Sequence, residues 1–169
     1  MRHGRRFMEI FIVVFGLGVL CVFLYPVFFV KAREKANTSC ANNQKVIVCM
    51  AMEYAQDHQE RLPTASTFWQ KLQVAPWHLI CPRKPEAANG YGFNIHLGGL
   101  ANAYEACDDP ATVPVTADSD NPRHVLVMNT DLVRRERGGC IASFLDGHIE
   151  ECSPDTVRLQ PKVQKAGKR

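Results

Sequence analysis

The chain has 169 residues, 46% apolar and 22% charged, with a formal charge of +3, which is enough for one domain of ordinary size and little more. Three of the twenty Lys/Arg and one of the seventeen Asp/Glu precede Lys31, so the remainder is balanced at 17 to 16 and offers nucleic acid no basic surface. No serine nucleophile elbow, phosphate-cradling glycine loop, HExxH or C-x-x-C is present, so no enzyme class, cofactor or zinc ribbon is supported.

Residues 1–9 form a short basic leader, with Arg2, Arg5 and Arg6. From Ile10 to Val30 no charge occurs, and only Gly16, Gly18 and Pro26 are not strongly apolar. Twenty-one helical residues reach about 31 Å, the thickness of bilayer hydrocarbon, so residues 10–30 are predicted to be a transmembrane helix. The run exceeds a secretory h-region and no small-x-small site closes it, which favours an uncleaved anchor. Lys31, Arg33 and Lys35, offset by Glu34, follow the span. The balance points to a cytoplasmic N-terminus and an exported C-terminal part.

Residues 31–60 are predicted to extend the helix as an amphipathic stem. Ala36, Cys40, Asn43, Ile47, Met50 and Tyr54 recur at steps of three and four, while Lys35, Asn42, Lys45, Glu53 and Gln56 occupy the other faces. Pro63 marks the stop.

Residues 61–152 read as an α+β head. "RLPTASTFWQKLQVAP" suggests a short helix capped by Thr64 or Ser66, with Phe68, Trp69 and Leu72 as its apolar face. "WHLICP" reads as a short strand. "RKPEAANGYGFN" reads as turns in which Asn89, Gly90 and Gly92 give backbone freedom. "LGGLANAYEA" suggests another short helix, and "TVPVTAD" and "HVLVMN" read as strands. Asp146-Gly147 in "CIASFLDGHIEEC" cues a hairpin. With a two-residue loop, Phe144 faces Ile149 on one buried face, and Cys140 and Cys152 point apart. A three-residue loop would put these cysteines opposite one another. The first register is the expected one.

Six cysteines lie beyond the span: Cys40, Cys49, Cys81, Cys107, Cys140 and Cys152. They are even in number, as an oxidising compartment would favour, but fifteen pairings are open. Asp118, Asp120 and Asn121 offer oxygens at loop spacing, which raises calcium, although the EF-hand pattern is absent. His148 beside Asp146 reads as a solvated turn residue. Residues 153–169 carry five Lys/Arg against one Asp and are expected to be a disordered basic tail.

Gly4, Glu9 and Pro26 carry a resemblance. Type IV pilins and type II secretion pseudopilins have a basic leader ending in Gly, a Glu five residues later, and in many members a Pro seventeen residues beyond the Glu. The stretch "YPVFFVKAREKANTSCANNQKVIVCMAMEYAQDHQERLP" also resembles the stem of the pseudopilin-like group with a C-terminal Asp-Gly-His hairpin, and Cys81-Pro82, Pro85, Tyr91-Gly92 and Asn94 match its "CP…P…YG.N" stretch. The resemblance implies a long N-terminal helix packed on a small antiparallel sheet. It also implies cleavage between Gly4 and Arg5 by a prepilin peptidase, and assembly with like or related subunits through Glu9 and Pro26 in the membrane. Arg5 and Arg6 stand where the family places Phe and then Thr or Ser, so a processed and an unprocessed chain both stay open. Glu136 stands where the group has its first His, so no role for that His carries over.

The expected function is therefore non-enzymatic assembly in a type IV pilus or type II secretion-like system. The protein would be a single-pass subunit of the bacterial inner membrane, in contact with lipid, needing no cofactor or metal and binding no nucleic acid. A membrane-anchored binding module that does not assemble is the alternative, and a metal-dependent exported enzyme a more distant one.

Overall fold

A computed structural model describes residues 2–133 and 139–162, with the side chains of residues 2–7, 9, 10 and 26–29 outside the description. The first helix, α1, runs Arg2–Asp57. The chain divides into two units, Met1–Ala36 and Asn37–Arg169. In the first, every residue from Phe11 to Tyr25 is exposed, including Phe11, Phe15, Val22 and Phe23 at 65–71%. The helix from Phe11 onward is long and apolar enough to cross a membrane.

In the second unit, the last five turns of α1 pack on a sheet. Cys40, Gln44, Ile47, Val48, Ala51 and Ala55 are buried, a stripe one step round from the predicted one, with Asn43, Met50 and Tyr54 at its margin. Lys35, Asn42, Lys45, Glu53 and Gln56 are exposed, as the periodicity requires. The helix ends where Gln59 and Glu60 turn left-handed (φ 58° and 56°), and the Glu60 amide donates back to the Ala55 carbonyl at 2.8 Å.

Two short helices follow, α2 (Phe68–Leu72) and α3 (Pro76–Leu79). Thr67, not Thr64 or Ser66, precedes α2, and its side chain makes no cap bond. The first half of the predicted "WHLICP" strand, Trp77 to Leu79, belongs to α3 instead. Pro76 at the first helical position presets φ, and the His78 amide closes the turn on the Ala75 carbonyl at 2.9 Å. The strands and the last α-helix are β1 (Tyr91–Asn94), α4 (Ala103–Ala106), β2 (Pro114–Asp118), β3 (Val125–Leu126), β4 (Cys140–Phe144) and β5 (Ile149–Cys152).

The fold is α+β, but the sheet is mixed rather than wholly antiparallel. Its order is β3-β1-β2-β4-β5, and β3 runs parallel to β1. The segment "YGFN", read as turn, is the inner strand β1. Gly90 and Gly92 supply space there rather than freedom, since neither has positive φ. A Cβ on Gly92 would lie 2.8 Å from Leu126 and Ser119 side chains. In β2 a bulge falls between Pro114 and Thr116, so the consecutive Val115 and Thr116 both turn toward α1.

Both faces of the sheet are buried. Toward α1 lie Tyr91, Phe93, Val115, Ile141 and Leu145, with Phe68 stacked on Phe93 at 3.7 Å between ring centroids. On the opposite face Leu126, Leu132, Ala142 and Phe144 pack with Val157 and Leu159. The expected disorder from residue 153 does not hold for residues 153–162. Asn129 Nδ2 donates to the Pro154 and Val157 carbonyls at 2.8 and 3.1 Å, and buried Asn94 donates to the Leu159 carbonyl at 2.8 Å. Two apolar side chains and these carbonyl contacts outweigh a polar average composition.

The terminal hairpin takes the other register. Cys140 faces Cys152 and Ser143 faces Ile149, across a loop of Leu145, Asp146 and Gly147. The Gly147 amide donates to the Phe144 carbonyl at 2.9 Å with φ +87°, the form of a three-residue hairpin with a left-handed glycine. Phe144 and Ile149 therefore lie on opposite faces, Ile149 toward α1 and Phe144 away from it.

Candidate functional site

The residues that the sequence marks for processing and assembly fall in the first unit. Gly4, Arg5, Glu9 and Pro26 lie within α1, and their side chains are outside the described residues. What surrounds them in sequence is described: the unbroken exposed apolar surface from Phe11 to Tyr25. Moving each Val, Leu, Ile or Phe of such a surface out of water is worth about 1.5–3 kcal/mol.

The second unit holds a polar cluster that periodicity alone does not predict, because its centre is a glutamine on the buried side of α1. Gln44 is wholly buried. Its Nε2 donates to the Ile141 carbonyl at 2.7 Å and to Asp118 Oδ1 at 3.2 Å, and its Oε1 accepts from Thr116 Oγ1 at 3.3 Å. Thr116 and Ser143 share a hydroxyl bond at 2.7 Å, and the Ile141 amide donates to Asp118 Oδ2 at 3.1 Å. Among the described residues no buried side-chain nitrogen or oxygen lacks a partner. Such a network fixes the register of helix on sheet.

Beside it lie two thiols, Cys40 on α1 and Cys81 after α3, with sulfurs 2.7 Å apart. The hydrogen bond from Cys40, followed by burial, pushes the Cys81 thiol far above its ordinary range. Tyr91 lies alongside. Burial above all holds its phenol un-ionised, although Asn43 Nδ2 donates to its oxygen at 3.2 Å. Cys40, Cys81 and Asp118 have ligand atoms within 4.8 Å of one another, so this is the place in the described residues where a metal could be sought. The fit is poor. Two thiolates on one zinc sit about 3.8 Å apart, from Zn–S bonds of about 2.3 Å, and both carboxylate oxygens of Asp118 already accept hydrogen bonds.

The oxygens of Asp118, Asp120 and Asn121, whose spacing raised calcium, do not converge. Asp118 points into the interior, Asp120 pairs with Lys84, and Asn121 Nδ2 donates to Asp131 Oδ1 at 3.1 Å. At the hairpin, His148 stacks on Phe144 with centroids 4.4 Å apart, and its Nδ1 meets Asp146 Oδ1. That arrangement braces a turn. A cleft of about 350 Å³, lined by residues including Met52, Glu60, Asn102 and Tyr104, opens elsewhere on this unit.

Comparison with known proteins finds no matching family model, no matching curated protein and no matching solved structure.

Proposed function

We propose that this protein is a membrane-anchored, non-enzymatic pilin- or pseudopilin-like subunit. It assembles through its N-terminal helix in a type IV pilus or type II secretion-like system of a bacterial inner membrane, with its N-terminus cytoplasmic and its C-terminal unit exported. One observation carries this reading: a helix that is apolar on every side from Phe11 to Tyr25 also supplies, from Cys40 to Ala55, the buried wall of a folded unit. The first part calls for lipid or other helices as solvent, and the second makes the same helix part of the fold rather than a detachable signal.

Within lipid, helices associate by close packing, and Gly16 and Gly18, which have nothing within 4 Å of an added Cβ, leave room for a neighbour's backbone. Glu9, at the edge of the apolar run, is costly in hydrocarbon unless paired, and its role in this reading is to meet the positive N-terminus of an adjacent subunit. Prepilin peptidase cleavage after Gly4 would create that terminus at Arg5. Pro26 lacks an amide donor and so permits local unwinding where helices pack side by side.

The test is Glu9→Leu, scored by membrane retention and by co-assembly with like or related subunits. Retention with loss of assembly supports the proposal, and unchanged assembly contradicts it. The second reading, a membrane-anchored binding module, has the cleft by Tyr104 in its favour, whose size falls in the range of small-ligand pockets. It predicts that Glu9→Leu leaves function untouched while Tyr104→Ala abolishes it.

A further inference from the structure

Six cysteines outside the apolar run could pair in fifteen ways, but their placement in the fold removes nearly all of them. Cys40 and Cys81 are forty-one positions apart in sequence, yet their sulfurs lie 2.7 Å apart, well inside ordinary non-bonded contact. Cys81 is held there by a close approach. A Cβ on Gly90 would come within 2.6 Å of Cys81 Cβ, so only glycine lets the two segments meet. Cys140 and Cys152 are register partners across β4 and β5, with sulfurs 3.6 Å apart. They lie four residues along from Phe144 and His148, whose backbones bond at the hairpin. By strand parity they occupy a hydrogen-bonded site, where Cα atoms are about 5.5 Å apart, within the range that a disulfide spans.

The remaining thiols are placed differently. Cys49 is exposed on α1, Cys107 is buried near α4, and Cys21 belongs to the apolar run.

We propose that the protein carries two disulfides, Cys40–Cys81 and Cys140–Cys152, while Cys21, Cys49 and Cys107 stay as thiols. The first bond fastens α1 to the segment between α3 and β1. The second closes the edge hairpin on the opposite face of the sheet, so each face of the sandwich gains one cross-link. The chemistry is exchange with an oxidised dithiol carrier. In each case a thiolate of this chain attacks the carrier's disulfide, and the second thiolate then displaces the carrier from the mixed disulfide. Two thiol protons and two electrons leave this chain for each bond, and the carrier ends as a dithiol. Cys152 is suited to begin at the second site, because the hydrogen bond from Cys140 draws its thiol below the ordinary range even against burial.

The oxidant depends on the export reading above, whereas the pairing depends on geometry alone, and the experiment separates the two. Full-length protein is extracted from membranes in detergent with an alkylating agent present, then mapped by peptide mass without reductant. A parallel sample is first reduced and then reoxidised with glutathione disulfide. Three alkylated cysteines, a mass four hydrogens below the reduced chain after subtraction of the three adducts, and the two named linkages in the extracted sample support both claims. The two linkages in the reoxidised sample only uphold the pairing and contradict export. Any other linkage, five or more alkylated cysteines after reoxidation, or a retained zinc ion at Cys40 and Cys81 overturns the pairing. Cys152→Ser provides the control. It adds one alkylated thiol at Cys140 and leaves Cys40–Cys81 in place, and loss of both bonds in that variant would also overturn the assignment.

Discussion

Gln44 on α1 and Asp118 on β2 meet at 3.2 Å in the interior of the C-terminal unit, and each is bonded as well to a main-chain group of Ile141. The glutamine takes the carbonyl and the carboxylate takes the amide, so helix and two strands are tied at one residue of β4. Gln44→Leu keeps the volume but leaves Asp118 and the Ile141 carbonyl each short of a donor. The expected loss is about 3 kcal/mol, from about 1–3 kcal/mol per unsatisfied buried group. Chemical denaturation of the full chain in detergent checks it, and Gln44→Glu, which sets a second carboxylate beside Asp118, should be worse still.

Asp131 predicts an acid-sensitive loop. Burial pushes its carboxyl up, but the Met128 and Val127 amides and the Asn121 side chain more than offset this, and it lies below the ordinary carboxylate range. A group whose folded value is depressed adds stability above its unfolded value of about 3.9, and that stability is lost as pH falls through the folded value. The loop of residues 119–132 should therefore loosen below about pH 4. Asp131→Asn should remove this pH dependence and cost about 1 kcal/mol at neutral pH, as for loss of a helix cap. Amide exchange of Val127 and Met128 against pH is the measurement.

Two glycines should respond to alanine for opposite reasons. Gly147 has open space around it but a φ of +87°, so Gly147→Ala should cost about 1–2 kcal/mol through left-handed strain, with Asn better tolerated. Gly90 has no such φ, but its Cβ would collide with Cys81. Gly90→Ala should cost about 1–3 kcal/mol through displaced packing, with Asn worse than Ala. Melting of the Gly, Ala and Asn forms at each position distinguishes the two causes.

The sequence pattern was most informative where one physical effect dominated. Exposed Lys45, Glu53 and Gln56 follow from helical period alone, and the apolar run from Ile10 onward from the absence of charge. Gln44 is not legible in the pattern, because a period count tallies apolar residues and a polar residue at a buried position looks like a break in the stripe. The hairpin register turned on whether Asp146-Gly147 closes a two- or a three-residue loop. Pairing Phe144 with Ile149 presupposes that the hairpin has one buried face, whereas the C-terminal segment around Val157 and Leu159 buries the second face too. Strand β1 is hidden by Gly92, which serves close packing against Leu126 and Ser119 rather than a turn. Of the candidate site, the thiols were visible as an even count, but only the fold brings Cys40 to Cys81.

The proposed function requires the apolar helix to meet other such helices in a bilayer. Its most direct test is a photo-crosslinking residue at position 15, where the wild-type Phe15 is 65% exposed, activated in intact cells and followed by mass identification of the product. The protein should stay in the membrane fraction and be captured covalently by a second copy or a related subunit, through residues of that partner's own N-terminal helix. A chain that is recovered with the soluble proteins, or that is captured by lipid alone at every exposed position from Phe11 to Tyr25, would contradict it.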